Sequence, residues 1–194
     1  MISAYKKFIF ILIFLIAGHA AWAGPAVSFP SVYQENGINL LLKESGYKRI
    51  LLVRAFEAGF YFTDGAQDFL GNIPKRVEVL FFIHIAQKNL AGYVRGKIWD
   101  NVTQKEFNLL EERLKHMAGY LADIKPGDRY VLTYLPGEGT RFEYNGGLKG
   151  VIEGEDFAKG MFSIWVGKHP MDRAIKHQIL EKFENKKCCA GHMF

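Results

Sequence analysis

Hydrophobic and polar positions follow two periods along this chain, and the switches between them mark its elements. From Tyr130 the period is two. Tyr130, Leu132 and Tyr134 share one face, Pro136-Gly137 and Gly139 close a turn, and Phe142 and Tyr144 alternate on the returning strand. Asn145-Gly146 is the strongest hairpin signal, because both residues tolerate the positive φ that a two-residue turn requires. Leu148 to Ile152 gives the next strand. Phe157, Met161, Ile164 and Trp165 then recur at i, i+4, i+7 and i+8, the stripe of an amphipathic helix.

The earlier part of the chain reads the same way. Gly37–Leu42 is a short apolar strand, residues 43–49 a polar interruption turning at Gly46, and Ile50–Phe62 a long strand too uniformly apolar to be covered on one face only. Residues 66–75 form a loop closing at Pro74. Val77–Ile85 is β-rich, with Val77, Val79, Phe81 and Ile83 alternating against Glu78, Leu80, Phe82 and His84. Leu90, Val94 and Ile98 predict a helix over about 88–102. Thr103 and Glu106 form a capping box for a second helix with Phe107, Leu110, Leu114, Met117 and Leu121 on one face, stopped by Pro126-Gly127. Gly167 takes a helix C′ position and Pro170 the first position of a last helix carrying Met171, Ile175, Ile179 and Phe183. The order β-β-β-α-α-β-β-β-α-α segregates strands from helices, so the fold class is α+β, an antiparallel sheet with its helices on one side.

The first 23 residues stand apart from that core. Lys6 and Lys7 precede an unbroken apolar run, Phe8–Ala17, and Ala21-Trp22-Ala23 is a small-x-small cleavage site. The apolar run is shorter than the ~20 residues of a spanning helix, so the pattern is that of a signal peptide with no membrane span after cleavage. The expected organisation is a signal peptide at 1–23, one domain at 24–183 and a flexible polar tail at 184–194, in a chain exported to a periplasm. Without Lys6 and Lys7 the formal charge falls from +5 to +3, and the basic residues are scattered among acids, which excludes nucleic acid as a partner.

Few constellations carry chemistry. His84, His116, His169 and His177 show no ligand spacing. Cys188-Cys189-x-x-His192 offers three of the four groups of a closed zinc site, so neither a metal nor any other cofactor is expected. Gly137-x-Gly139 lacks the third glycine of a dinucleotide loop. Asp156 is explained by the helix it starts.

An ordered set of short motifs resembles the bacterial chalcone-isomerase-like proteins. They are Phe29-Pro30, Gly46-Tyr47-Lys48-Arg49, Gly59-Phe60-Tyr61-Phe62, Lys125-Pro126-Gly127-Asp128, the turn from Leu135 to Thr140, Asn145-Gly146, Gly154 to Phe157, Ile164 to Gly167, and Pro170-Met171-Asp172. The resemblance covers about residues 27–182. It implies that family's open-faced β-sandwich, a large antiparallel sheet under a layer of helices with a ligand cleft between them.

The resemblance also implies a chemistry. Ring closure in chalcone isomerases is intramolecular attack of a phenolate on an enone; it needs a cation for the phenolate, a water held over the enone oxygen and a cleft that fixes the geometry. The family's cation falls on Lys48, or on Arg49. Its strand threonine falls on Phe56, its helix tyrosine near Leu90 with Tyr93 one turn away, its asparagine near Lys97, and its second threonine on Ile164. Phe56 and Ile164 donate no hydrogen bond. Lys48, Arg49 and Tyr93 are therefore the catalytic candidates, and most other catalytic positions are substituted. Non-catalytic members of the wider fold bind fatty acids. A cleft lined by Phe56, Phe60, Leu90, Val94, Ile164 and Trp165, with one cation, Lys48 or Arg49, at its mouth and Tyr93 and Lys97 as further candidate contacts, suits a small hydrophobic or carboxylate-bearing ligand. The alternatives are an intramolecular lyase and a non-catalytic envelope interaction module with a filled cleft.

Overall fold

The structure, a computed structural model, describes residues 29–190, with side chains through Phe183. Seven strands form one antiparallel meander in chain order: β1 (Val32–Glu35), β2 (Ile38–Ile50), β3 (Val53–Phe62), β4 (Lys75–Phe81), β5 (Arg129–Leu135), β6 (Gly139–Tyr144) and β7 (Gly147–Ile152). Helices α1 (Gln87–Trp99) and α2 (Gln104–Tyr120) are inserted between β4 and β5, and α3 (Glu155–Val166) and α4 (Arg173–Ala190) follow β7. The α+β reading and the single antiparallel sheet hold.

Alternation on the central strands sets the two faces. Phe56, Ala58, Phe60 and Phe62 of β3 lie in register with Phe81, Val79, Val77 and Lys75 of β4, and Val77 and Val79 with Leu132 and Tyr130 of β5. These side chains point to the helices. Helix α3 is buried around nearly its whole girth, with Phe157, Met161, Phe162, Ile164 and Trp165 all in the core. Only Glu155, Asp156 and Lys159 are exposed on it. The predicted capping box is present at Thr103 and Glu106.

The β2–β3 hairpin differs from expectation. Gly46 is no turn: β2 runs through it to Ile50, and the chain reverses at Leu51-Leu52. Gly46 instead allows close approach of α4, since a Cβ there would stand 2.9 Å from Ile175 Cγ1. β3 accordingly starts at Val53 rather than Ile50. Strand β1 was not foreseen. It and the first half of β2 curl over the sheet face opposite the helices, where the Tyr33 ring stacks on Arg76 at 3.7 Å and Glu35 pairs with Arg141. β4 therefore reads buried on both faces. It begins at Lys75, inside the expected loop, and ends at Phe81.

Pro170 does not open the last helix. Asp172 does, its carboxylate accepting the N–H groups of Ala174 at 2.8 Å and Ile175 at 3.2 Å. The backbone of α4 continues to Ala190, through much of the stretch read as a tail. The side chains of Cys188 and Cys189, and His192, lie outside the described residues, as does the whole signal-peptide reading of 1–23.

Candidate functional site

A cavity of about 390 Å³ lies between the sheet and α1, α3 and the start of α4. Its walls are almost entirely hydrocarbon. The sheet contributes Phe56, Val79, Phe81 and Leu132, and the helices Leu90, Val94, Met161, Ile164, Trp165 and the nearby Met171. Phe56 packs edge-on against Trp165 at 5.9 Å, which fixes the floor beneath the gap.

Polar groups bordering it are few. Lys48 reaches the rim from β2 and donates to Asp172 at 2.8 Å. Burial pushes the Asp172 carboxyl up, but the Lys48 hydrogen bond and charge and the two backbone N–H donors more than offset it, leaving the group below the ordinary carboxylate range. Tyr93 and Asn89 sit on the rim from α1. Partial burial raises the Tyr93 phenol above its usual value, against the pull of the Lys48 charge. Tyr93 is thus a neutral phenol at physiological pH, able to donate a hydrogen bond but not poised as a base. Tyr130, on the sheet, uses its oxygen to accept the Ala122 N–H at 2.6 Å.

Of the residues expected at the site, Lys48, Phe56, Leu90, Tyr93, Val94, Ile164 and Trp165 line this cavity. Three do not. Arg49 lies next to Lys48 and so projects elsewhere, with its guanidinium over the Tyr47 ring at 5.1 Å. Phe60 is one layer deeper, wholly buried against Trp165 at 5.1 Å. Lys97 lies two turns of α1 from Leu90, beside Asp100 and the His169 carbonyl. Sequence reasoning missed Asn89, Asp172 and Tyr130. Asp172 belongs to a motif already singled out, but nothing in its spacing tied it to Lys48, 124 positions away.

The arrangement can hold an apolar body and hydrogen-bond a polar end at the rim. Among the described residues that line it, Phe56 and Ile164 offer no hydrogen-bond donor, while the Trp165 indole N–H is buried without a partner. Residues 23–181 match the model of the family described as chalcone isomerase-like. The chain belongs to that family. A crystal structure of an Arabidopsis thaliana fatty-acid binding protein is similar to it, with a TM-score of 0.66 and 14% identity over 81% of this chain and 93% of that one. At that identity the likeness is one of fold. No curated protein matches the chain. Membership accounts for the long meander and the helical layer, and the side chains then decide what this member's cavity can do.

Proposed function

We propose that this protein binds a small hydrophobic ligand with one polar end, of the fatty-acid type, and that it does so outside the cytoplasm after export by its N-terminal segment. One observation carries the ligand: an apolar cavity of about 390 Å³ whose one cationic lining group among the described residues is Lys48. That volume falls within the ~300–1,000 Å³ of small-molecule sites. The fatty-acid binding protein of the same fold supports the ligand class. Export is supported by the basic residues, apolar run and small-x-small site at residues 1–23.

Against the intramolecular lyase stand Phe56 and Ile164, which line the cavity where hydrogen-bond donors are needed. An empty volume of this size argues against a module with a filled cleft.

The test is displacement of a fluorescent fatty acid by palmitate, alongside lipid extraction from protein purified from its own host. Palmitate should displace the probe stoichiometrically. Val94→Trp, which fills the cavity from α1, should weaken binding at least about tenfold while the fold survives by circular dichroism. No binding, or equal binding by Val94→Trp, would sink the proposal.

A further inference from the structure

The tip of the β2–β3 hairpin carries four consecutive exposed apolar residues: Ile50, Leu51, Leu52 and Val53, at 55, 93, 96 and 56% exposure. Two hairpins of this sheet turn on a consecutive pair of positive-φ residues. β1–β2 uses Asn36-Gly37 and β6–β7 uses Asn145-Gly146, all four with φ between 48° and 79°. The β2–β3 turn shares that need at its first residue alone, with φ 54°, and places Leu51 there. A left-handed backbone is disfavoured for a branched, bulky side chain, and asparagine or glycine would relieve it. Leucine at this position is thus unexplained by the turn, and its side chain meets no core.

The surroundings of the tip are ordered as a lipid surface orders them. Behind the four apolar residues come Arg49, Arg54 and Tyr47, with both guanidinium groups over the Tyr47 ring at 5.1 and 5.0 Å. Cations and an amphipathic aromatic just behind a hydrocarbon tip match headgroup depth. Arg54 also pairs with Glu57, whereas Arg49 has no carboxylate partner among the described residues. Four side chains at one apex fall short of the ~800 Å² per partner that a stable protein interface buries. A bilayer needs no matching surface.

We infer that the Ile50–Val53 tip docks this protein on an anionic phospholipid bilayer by inserting Leu51 and Leu52. Ile50 and Lys48 line the cavity as well, so docking brings the cavity mouth to the lipid interface. The consequence, loading of an acyl ligand from the membrane, rests on the ligand-binding reading; docking itself does not. No helix among the described residues is long and apolar enough to cross a membrane, so attachment by this face is peripheral.

The test is flotation of protein purified from its own host with vesicles of equal parts phosphatidylcholine and phosphatidylglycerol, and with pure phosphatidylcholine vesicles. Wild type should float with the mixed vesicles and more weakly with the neutral ones. Leu51→Asn/Leu52→Ser should lower partitioning at least about tenfold, melt close to wild type because Asn relieves the positive φ at Leu51 and neither side chain is buried, and bind palmitate unchanged in lipid-free solution. Arg49→Gln should give a smaller loss that added salt abolishes. A wild type that does not float, or a double variant that floats equally, overturns the inference. So does a wild-type dimer that the double variant dissociates, since the tip would then be a protein interface. A protein that floats through its tip yet takes up no palmitate upholds docking and overturns the ligand reading alone.

Discussion

The two faces of the central sheet are built by alternate residues of the same strands, and they solve burial in opposite ways. On the helical face, Phe56, Val79, Phe81 and Leu132 meet a dry layer and leave a cavity. On the other face, under the curl of β1, Arg76 donates to Thr133 at 3.1 Å and to Glu78 at 3.2 Å, Glu78 also pairs with Arg129, and Arg141 lies between Glu35 and Glu143. Arg76, Glu78 and Thr133 are buried. Hydrocarbon tolerates an empty volume, because a missing neighbour forfeits only dispersion. A charge network has no such latitude, since every buried ion must keep its partners. Placing the cavity on the apolar face follows from that difference.

The largest effect should come from breaking the charged face. Arg76→Ala leaves the Tyr33 ring without its cation and strips one of two cationic partners from each of Glu78 and Glu143. Loss of one member of a buried ionic group typically costs ~3–5 kcal/mol. Chemical denaturation should show a loss of that size. A loss below about 1 kcal/mol would mean that water reaches the network and that the two faces are not opposites.

The second prediction concerns the exception on the apolar face. Lys75 is buried there, donating to the Phe69 and Gly71 carbonyls at 2.9 and 2.7 Å, with the Phe69, Tyr134 and Phe162 rings about its ammonium. Burial lowers its pKa to about 8 from 10.5, opposed by the charges of Asp68 and Glu155. Between about pH 8 and 10.5 the unfolded chain keeps a proton that the folded chain has released, so this group makes stability rise with pH. The rise is on the order of 3 kcal/mol, complete once the pH passes the unfolded value. Buried tyrosines such as Tyr61 and Tyr130, raised by desolvation, act in the opposite direction above about pH 10. The Lys75 contribution is therefore read as the difference between wild type and Lys75→Met across that window. A difference that does not change with pH would show the lysine to be solvated.

The apolar face was legible in the sequence and the charged face was not. Period-two alternation of Val77, Val79 and Phe81, and the i+4 stripes of α1 and α2, depend on neighbours close in sequence, which is why those elements emerged within a few residues of their true ends. Seven of the ten expected site residues line the cavity, but Lys48, Phe56, Leu90, Tyr93 and Ile164 among them were placed by the family resemblance rather than by periodicity. Arg76 and Glu78 look like solvent-facing residues unless β1 is known to fold over them, and a four-residue strand leaves little periodic trace. Gly46 read as a turn because a glycine kept for the approach of Ile175 has the same letter as one kept for positive φ. Arg49 and Lys48 could not be told apart while the turn after them was misplaced, since in a strand one step changes the face. Long-range pairing and register are what single-sequence periodicity omits.

The smallest stability effect should come from the rim, where the two regimes meet. The Lys48 and Asp172 side chains are 35% and 17% exposed, so their ion pair is partly screened, and Lys48→Met should cost at most about 1 kcal/mol. Asp172 keeps its two backbone donors in that variant, but without Lys48 its pKa should move up. Its folded value lies below the unfolded one, so its contribution is present above the unfolded pKa and lost as pH falls through the folded pKa; in Lys48→Met that contribution should be smaller and its loss complete at a higher pH. Binding separates Lys48 as helix tether from Lys48 as ligand anchor. If the cation serves a ligand carboxylate, Lys48→Met should weaken palmitate several-fold and leave hexadecanol unaffected. Equal retention of both would assign Lys48 wholly to Asp172 and leave the ligand's polar end to Tyr93 and Asn89, neutral donors that select against charge rather than for it.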